Sequence, residues 1–221
     1  MSHFGLDPSS VMERIRVLGA PVTVPSLSQS IVTGGLGFAA VGLASFAVWA
    51  WGGHWLVDRF GELALYSACA AVLIGGGGAV FSPLVIGPGR LCRFFGLFAL
   101  AMFLYAGVWT GSYFSMRKMS GEILGSLVAP AIMGMTFANA FAAPGMVRKV
   151  VTALLISHGF GYFSGQLFYR EFQGLPGILL WGVDYGFCFG AGIGYTIYYC
   201  QNDIRCRLEE ISKGSSHNSR I

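Results

Sequence analysis

Charge is the scarcest commodity in this sequence. Asp, Glu, Lys and Arg make up 11% of its 221 residues, less than half of the roughly 25% found in an average soluble domain. So few charges cannot clothe the water-facing surface of a chain this size. Lipid must meet the remaining surface, as 54% hydrophobic residues and a mean hydropathy of +0.63 also indicate. Long polar stretches are missing too, so no separate soluble domain can be built.

Other absences narrow the chemistry. Five cysteines occur, Cys69, Cys92, Cys188, Cys200 and Cys206, without a CxxC pair or neighbouring histidines, which argues against a metal site. There is no phosphate-binding glycine loop, HExxH, paired-carboxylate motif or nucleophile elbow, so the sequence assigns no catalytic residue, cofactor or metal. The net charge of +4 is scattered in ones and twos between apolar runs, which forms no basic face and excludes nucleic acid as a partner.

What is present is a series of six apolar runs: Ile31–Trp51, Leu63–Ile86, Phe94–Met116, Ile123–Ala143, Val150–Phe168 and Leu175–Cys200. Each is long enough, at about 1.5 Å per residue, for a hydrocarbon core of about 30 Å. The sequence thus predicts an all-α, polytopic membrane bundle of six transmembrane helices over 31–200, with the lipid bilayer as its surroundings. Trp49, Trp51 and Trp55, and Tyr195, Tyr198 and Tyr199, collect at span ends as an interfacial belt. Residues 1–30 form an N-terminal segment in which Ser10 and Glu13 suggest a capping box. There Val11, Ile15 and Leu18 share one side of a short surface helix, ended by Pro21 and Pro25. Residues 201–221 form a polar tail whose Lys213–Ser219 run has the composition of disorder.

Orientation follows from the basic residues. If the N-terminus is cytoplasmic, the inner segments carry Arg14, Arg16, Arg90, Arg93, Arg148, Lys149, Arg205, Arg207, Lys213 and Arg220. The outer ones carry only Arg59, Arg117, Lys118 and Arg170. That bias puts both termini inside, with the Arg117–Lys118 pair running against it.

Two glycine patterns stand out. Gly182, Gly186, Gly190 and Gly194 recur at every fourth residue of the sixth span and form one bare stripe, suited to close helix packing within the chain or against a partner or second copy. Gly75, Gly76, Gly77 and Gly78 sit in the second span ahead of Pro83. Either they permit a crowded crossing or they mark a helix break that opens backbone to a solute.

Polar groups inside the spans are the functional lead. His158, Tyr162 and Gln166 are spaced at i, i+4 and i+8 on the fifth span and so share a face. Asp184 and Cys188 lie on the sixth span away from its glycine stripe. At about 1.5 Å per residue, Asp184 and His158 reach comparable depths on antiparallel neighbours. The pairing expected is Asp184 with His158 or Tyr162, as either a protonatable site or an interhelical hydrogen bond. Thr110, Thr136 and Asn139 could extend a polar interior, while Glu62 and Glu122 sit at span ends in reach of water. Two functions fit: a small-solute or ion transporter or channel with a protonatable site in the bundle core, or a non-catalytic scaffold, lipid-binding regulator or accessory subunit that docks partners through its glycine faces.

Overall fold

The computed structural model describes residues 4–19, 22–116 and 119–218, so Pro21 and the Arg117–Lys118 pair lie outside the described residues. The described chain is all helix, with no strand. Eight helices follow in order: α1 Pro8–Leu18, α2 Leu27–Phe60, α3 Glu62–Phe81, α4 Arg90–Met116, α5 Met119–Ala140, α6 Val147–Phe172, α7 Gly174–Cys200 and α8 Asn202–Asn218. Five of them, α2, α3, α4, α5 and α7, are long and apolar enough to span a membrane. The sixth long helix, α6, has 26 residues, about 39 Å at the helical rise. Arg148, Lys149, His158, Gln166, Arg170 and Glu171 make it the most polar of the six.

The six long helices form a closed ring. Each packs on its chain neighbour, from α2 through α3, α4, α5 and α6 to α7, and α7 returns to pack on α2 in the most extensive contact of all. That last contact is made of bare backbone. Gly182, Gly186, Gly190 and Gly194 face Gly42, Phe38, Gly34 and Ser30 of α2, so a Cβ at any of them would strike main-chain atoms. Glycine on one face removes the side chains that normally hold helix axes 8–10 Å apart. The other face of α7 is also close to its neighbour, with Gly161 of α6 against Tyr185 and Cys188.

The four glycines of α3 do not break the helix. Gly75, Gly76, Gly77 and Gly78 are helical throughout. The helix turns only at the 3-10 segment Ser82–Leu84, where Pro83 falls. Crowding explains three of the four, since Gly76 meets Val41, Gly77 meets Phe98 and Phe38, and Gly78 meets Phe95, while Gly75 borders open space.

Both termini come to one end of the ring. Val11 of α1, Ile86 of the α3/α4 connection and Ile204 of α8 form a buried cluster with Met12, Ile15 and Leu208 at its edge. Gln201, 1% exposed, ties this end together. Its Nε2 donates to the Leu84 and Ile197 carbonyls at 3.1 and 3.0 Å, and its Oε1 accepts from the Ile86 amide at 2.7 Å. Two expectations for the ends need correction. The cap of α1 is Asp7, which accepts from the Ser10 amide, rather than Ser10 itself. Residues 202–218 form helix α8, so the described part of the Lys213–Ser219 run is helical where disorder was expected; Ile204, Leu208 and Ile211 recur at helical spacing and the first two have α1 to pack against.

Candidate functional site

Within the ring, the half nearest α1 and α8 holds a cluster of buried phenylalanines and the other half holds a cavity. Phe38, Phe81, Phe94, Phe98, Phe137 and Phe189 are all 0% exposed and meet ring against ring at centroid separations of 5.4–6.5 Å. Rings at these separations pack closely against one another.

Above this cluster sits a polar floor. His158 of α6, 0% exposed, has its ring 5.3 Å from Phe189. Its Nδ1 is 3.1 Å from the Tyr105 hydroxyl and 3.4 Å from that of Tyr185, and the two hydroxyls are 2.7 Å apart. A consistent assignment has Tyr185 donating to Tyr105 and Tyr105 donating to Nδ1, which leaves the histidine proton on Nε2. Nε2 has no hydrogen-bond partner.

Beyond the tyrosines a cavity of about 390 Å³ opens. Every long helix of the ring contributes to its lining, including Phe46 and Trp49 from α2, Tyr66 and Cys69 from α3, Tyr105, Trp109, Thr110 and Tyr113 from α4, Glu122 from α5, Tyr162 and Gln166 from α6, and Trp181 and Tyr185 from α7. These residues lie near the C-terminal ends of α4 and α6 and the N-terminal ends of α3, α5 and α7, so the hollow occupies the end remote from the termini. Ser45 and Cys69 cross-link its α2/α3 wall, each side chain donating to the other residue's carbonyl at 3.1 and 3.4 Å. Glu122 accepts from the Gln166 amide at 2.8 Å.

Of the polar residues singled out in the sequence, Tyr162 and Gln166 line this cavity and His158 lies beneath it. Asp184 does not join them. Its partner on α6 is the Ser164 hydroxyl, with the Cys188 thiol 3.9 Å away, and it is absent from the cavity lining. The reason is azimuth: successive helical residues are about 100° apart, so when Tyr185 points inward Asp184 is turned to the α6/α7 seam. Thr110 lines the cavity, Thr136 donates to the Ile132 carbonyl of its own helix, and Asn139 is exposed.

Sequence reasoning missed Glu122, which looked like a span-end carboxylate, and the aromatic wall. One signal was available, since Tyr105, Trp109 and Tyr113 are spaced at i, i+4 and i+8 and so form a stripe down one face of α4. Among the described residues no group of three or more His, Cys, Asp or Glu side chains could hold a metal ion. No protein-family model, curated protein or solved structure matches the chain.

Proposed function

We propose that this protein is a small-solute permease of a membrane, and that its solute binds in the 390 Å³ cavity. The observation that carries the reading is a hollow lined by all six long helices, with a cluster of buried phenylalanines packed on the side of α1 and α8. A bundle that serves purely as support gains from filling its interior, whereas a carrier needs a solute-sized space open to one side at a time. The protonatable groups of this reading are Glu122 on the cavity wall and His158 beneath the tyrosine floor. Asp184 has no part in it. In the orientation proposed, the phenylalanine-packed end and both termini are cytoplasmic. Arg14, Arg90, Arg93, Arg148, Lys149 and Arg205 gather there, in keeping with the positive-inside bias.

The glycine contacts favour the permease over the scaffold at the faces where glycines cluster, while Gly75, Gly107, Gly111 and Gly159 meet nothing within 4 Å. The stripe of α7 is occupied by α2, and Gly121, Gly125 and Gly134 of α5 are occupied by α4 and α6, so these faces are not free for a partner. The test is a solute library scored by thermal stabilisation of the purified protein, followed by uptake into proteoliposomes. Ala106, which lines the cavity, is the probe: Ala106→Phe should abolish uptake and stabilisation without lowering the melting temperature, and Asp184→Asn should leave uptake intact. A protein that moves no solute, is stabilised by none and copurifies with a stoichiometric partner would refute the permease and support the scaffold.

A further inference from the structure

The lining of the cavity has a marked asymmetry of charge. Among the described residues that line it, Glu122 is the one acidic group, and none is a lysine, arginine or histidine. Among the described residues Glu122 has no cationic partner either: the one ion pair is Arg16–Glu13, on α1. The Glu122 carboxylate is half-buried and its hydrogen-bond partners are neutral, the Gln166 amide at 2.8 Å and the Tyr162 hydroxyl. A carboxylate drawn out of water without a countercharge is unfavourable, and a cation arriving beside it relieves that cost.

The rest of the wall suits the same charge. Tyr113, Trp109, Tyr162 and Trp181 follow one another at ring separations of 5.4, 5.6 and 5.7 Å. They make a continuous aromatic strip beside Glu122 and Gln166. Aromatic faces carry negative potential and attract cations within about 6 Å of the ring centroid. The two indoles withhold the groups that would suit an anion. Their pyrrole edges are turned against Gly125 and Gly165 of the adjoining helices, and both indole N–H groups are buried without a partner.

Together these features select the class of solute. A hard metal ion needs about six oxygen ligands at short range, and one carboxylate in a largely carbon-walled space of about 390 Å³ does not supply them. We infer that the solute is a small organic cation, an alkylammonium whose charge rests between Glu122 and the aromatic strip while its carbons fill the rest of the cavity. This inference rests on the cavity being the solute site.

The experiment compares choline and tetramethylammonium with 3,3-dimethyl-1-butanol, the uncharged isostere of choline. Each is titrated into the purified full-length protein in nanodiscs, with binding followed by calorimetry and tryptophan fluorescence. The expected result is binding of at least one ammonium at least tenfold tighter than the neutral isostere. Glu122→Gln should weaken ammonium binding at least tenfold with no change in melting temperature, because an amide still pairs with Gln166, and Glu122→Asp should retain most of it. If Glu122→Gln does not fold, the isostere comparison and Glu122→Asp decide. Equal affinity for the neutral isostere would overturn charge selection and leave a solute site standing. Failure of both ammonium compounds overturns the inference alone if the solute library yields a neutral or anionic ligand, and overturns the permease reading with it if the library yields nothing.

Discussion

Replacing Gly186 with alanine adds a single methyl group at the seam where α7 returns to α2. Its Cβ would lie 2.5 Å from the Phe38 carbonyl oxygen and 2.9 Å from the Ala39 Cα. Both obstacles are main chain, so no side chain can rotate aside. The helices must separate by roughly 1 Å to reach ordinary contact, and a gap of that size forfeits a quarter to a half of the dispersion energy of the atoms it parts. Because Gly182, Gly190 and Gly194 depend on the same approach, the loss spreads along the seam. Overpacking of this kind typically costs about 1–3 kcal/mol, against which alanine's better helix propensity returns up to about 1 kcal/mol. Gly107 of α4 supplies the control, since a Cβ there meets nothing within 4 Å and only the propensity gain applies. The propensity gain is common to both variants and cancels, so Gly186→Ala should be about 1–3 kcal/mol less stable than Gly107→Ala, by reversible unfolding in mixed detergent or by melting temperature. Equal stability of the two variants would refute the reasoning.

Three further outcomes are expected. Gln201→Leu removes the partner of the buried Ile86 amide and Leu84 carbonyl, and at about 1–3 kcal/mol per orphaned group should destabilise by at least about 2 kcal/mol in the same unfolding assay; a loss under about 0.5 kcal/mol would show that those groups find water instead. Burial pulls the Asp7 carboxyl upward, but hydrogen bonds from the Ser9 hydroxyl and the Ser10 amide outweigh it and lower the group from 3.8 to about 2. A carboxyl depressed by folding stabilises above its unfolded value and loses that contribution as pH falls. Hydrogen-exchange protection of α1 should accordingly decline between pH 3.8 and about 2, and Asp7→Asn should abolish the decline, so an unchanged profile in the variant would count against the cap. With the native cysteines replaced, single cysteines at Asp58 and Glu171, both exposed and at the end remote from the termini, should react only with reagent added outside; labelling solely from the cytoplasm would reverse the orientation.

The spans were legible because a bilayer imposes a length and a composition on every crossing. Apolar runs written as Phe94–Met116 and Leu175–Cys200 correspond to α4 and α7 within a few residues. The exception is α2, which runs nine residues past Trp51 to Phe60 because helix geometry tolerates His54, Asp58 and Arg59 once the chain has left hydrocarbon. The cavity was not legible. Depth along a helix can be counted from sequence, but rotation about its axis is set by packing, and that is why His158 and Asp184 matched in height yet face different neighbours. Tryptophans and tyrosines near span ends read as interfacial anchors. Only the closing of α7 onto α2 turns Trp109, Tyr162 and Trp181 inward to one space.

That closure has a consequence for how the protein is made. Of the six helices of the ring, α2 is made before the others and finds its most extensive partner in α7, made after them, and the Ile86 amide of the α3/α4 connection waits for residue 201 to be synthesised. Until then the glycine face of α2 and the backbone of that connection are uncovered. Insertion can therefore proceed helix by helix, but the ring cannot shut until α7 and Gln201 have been translated. A truncation that stops before α7 should leave an open, protease-sensitive arc of five helices in which the cavity does not yet exist.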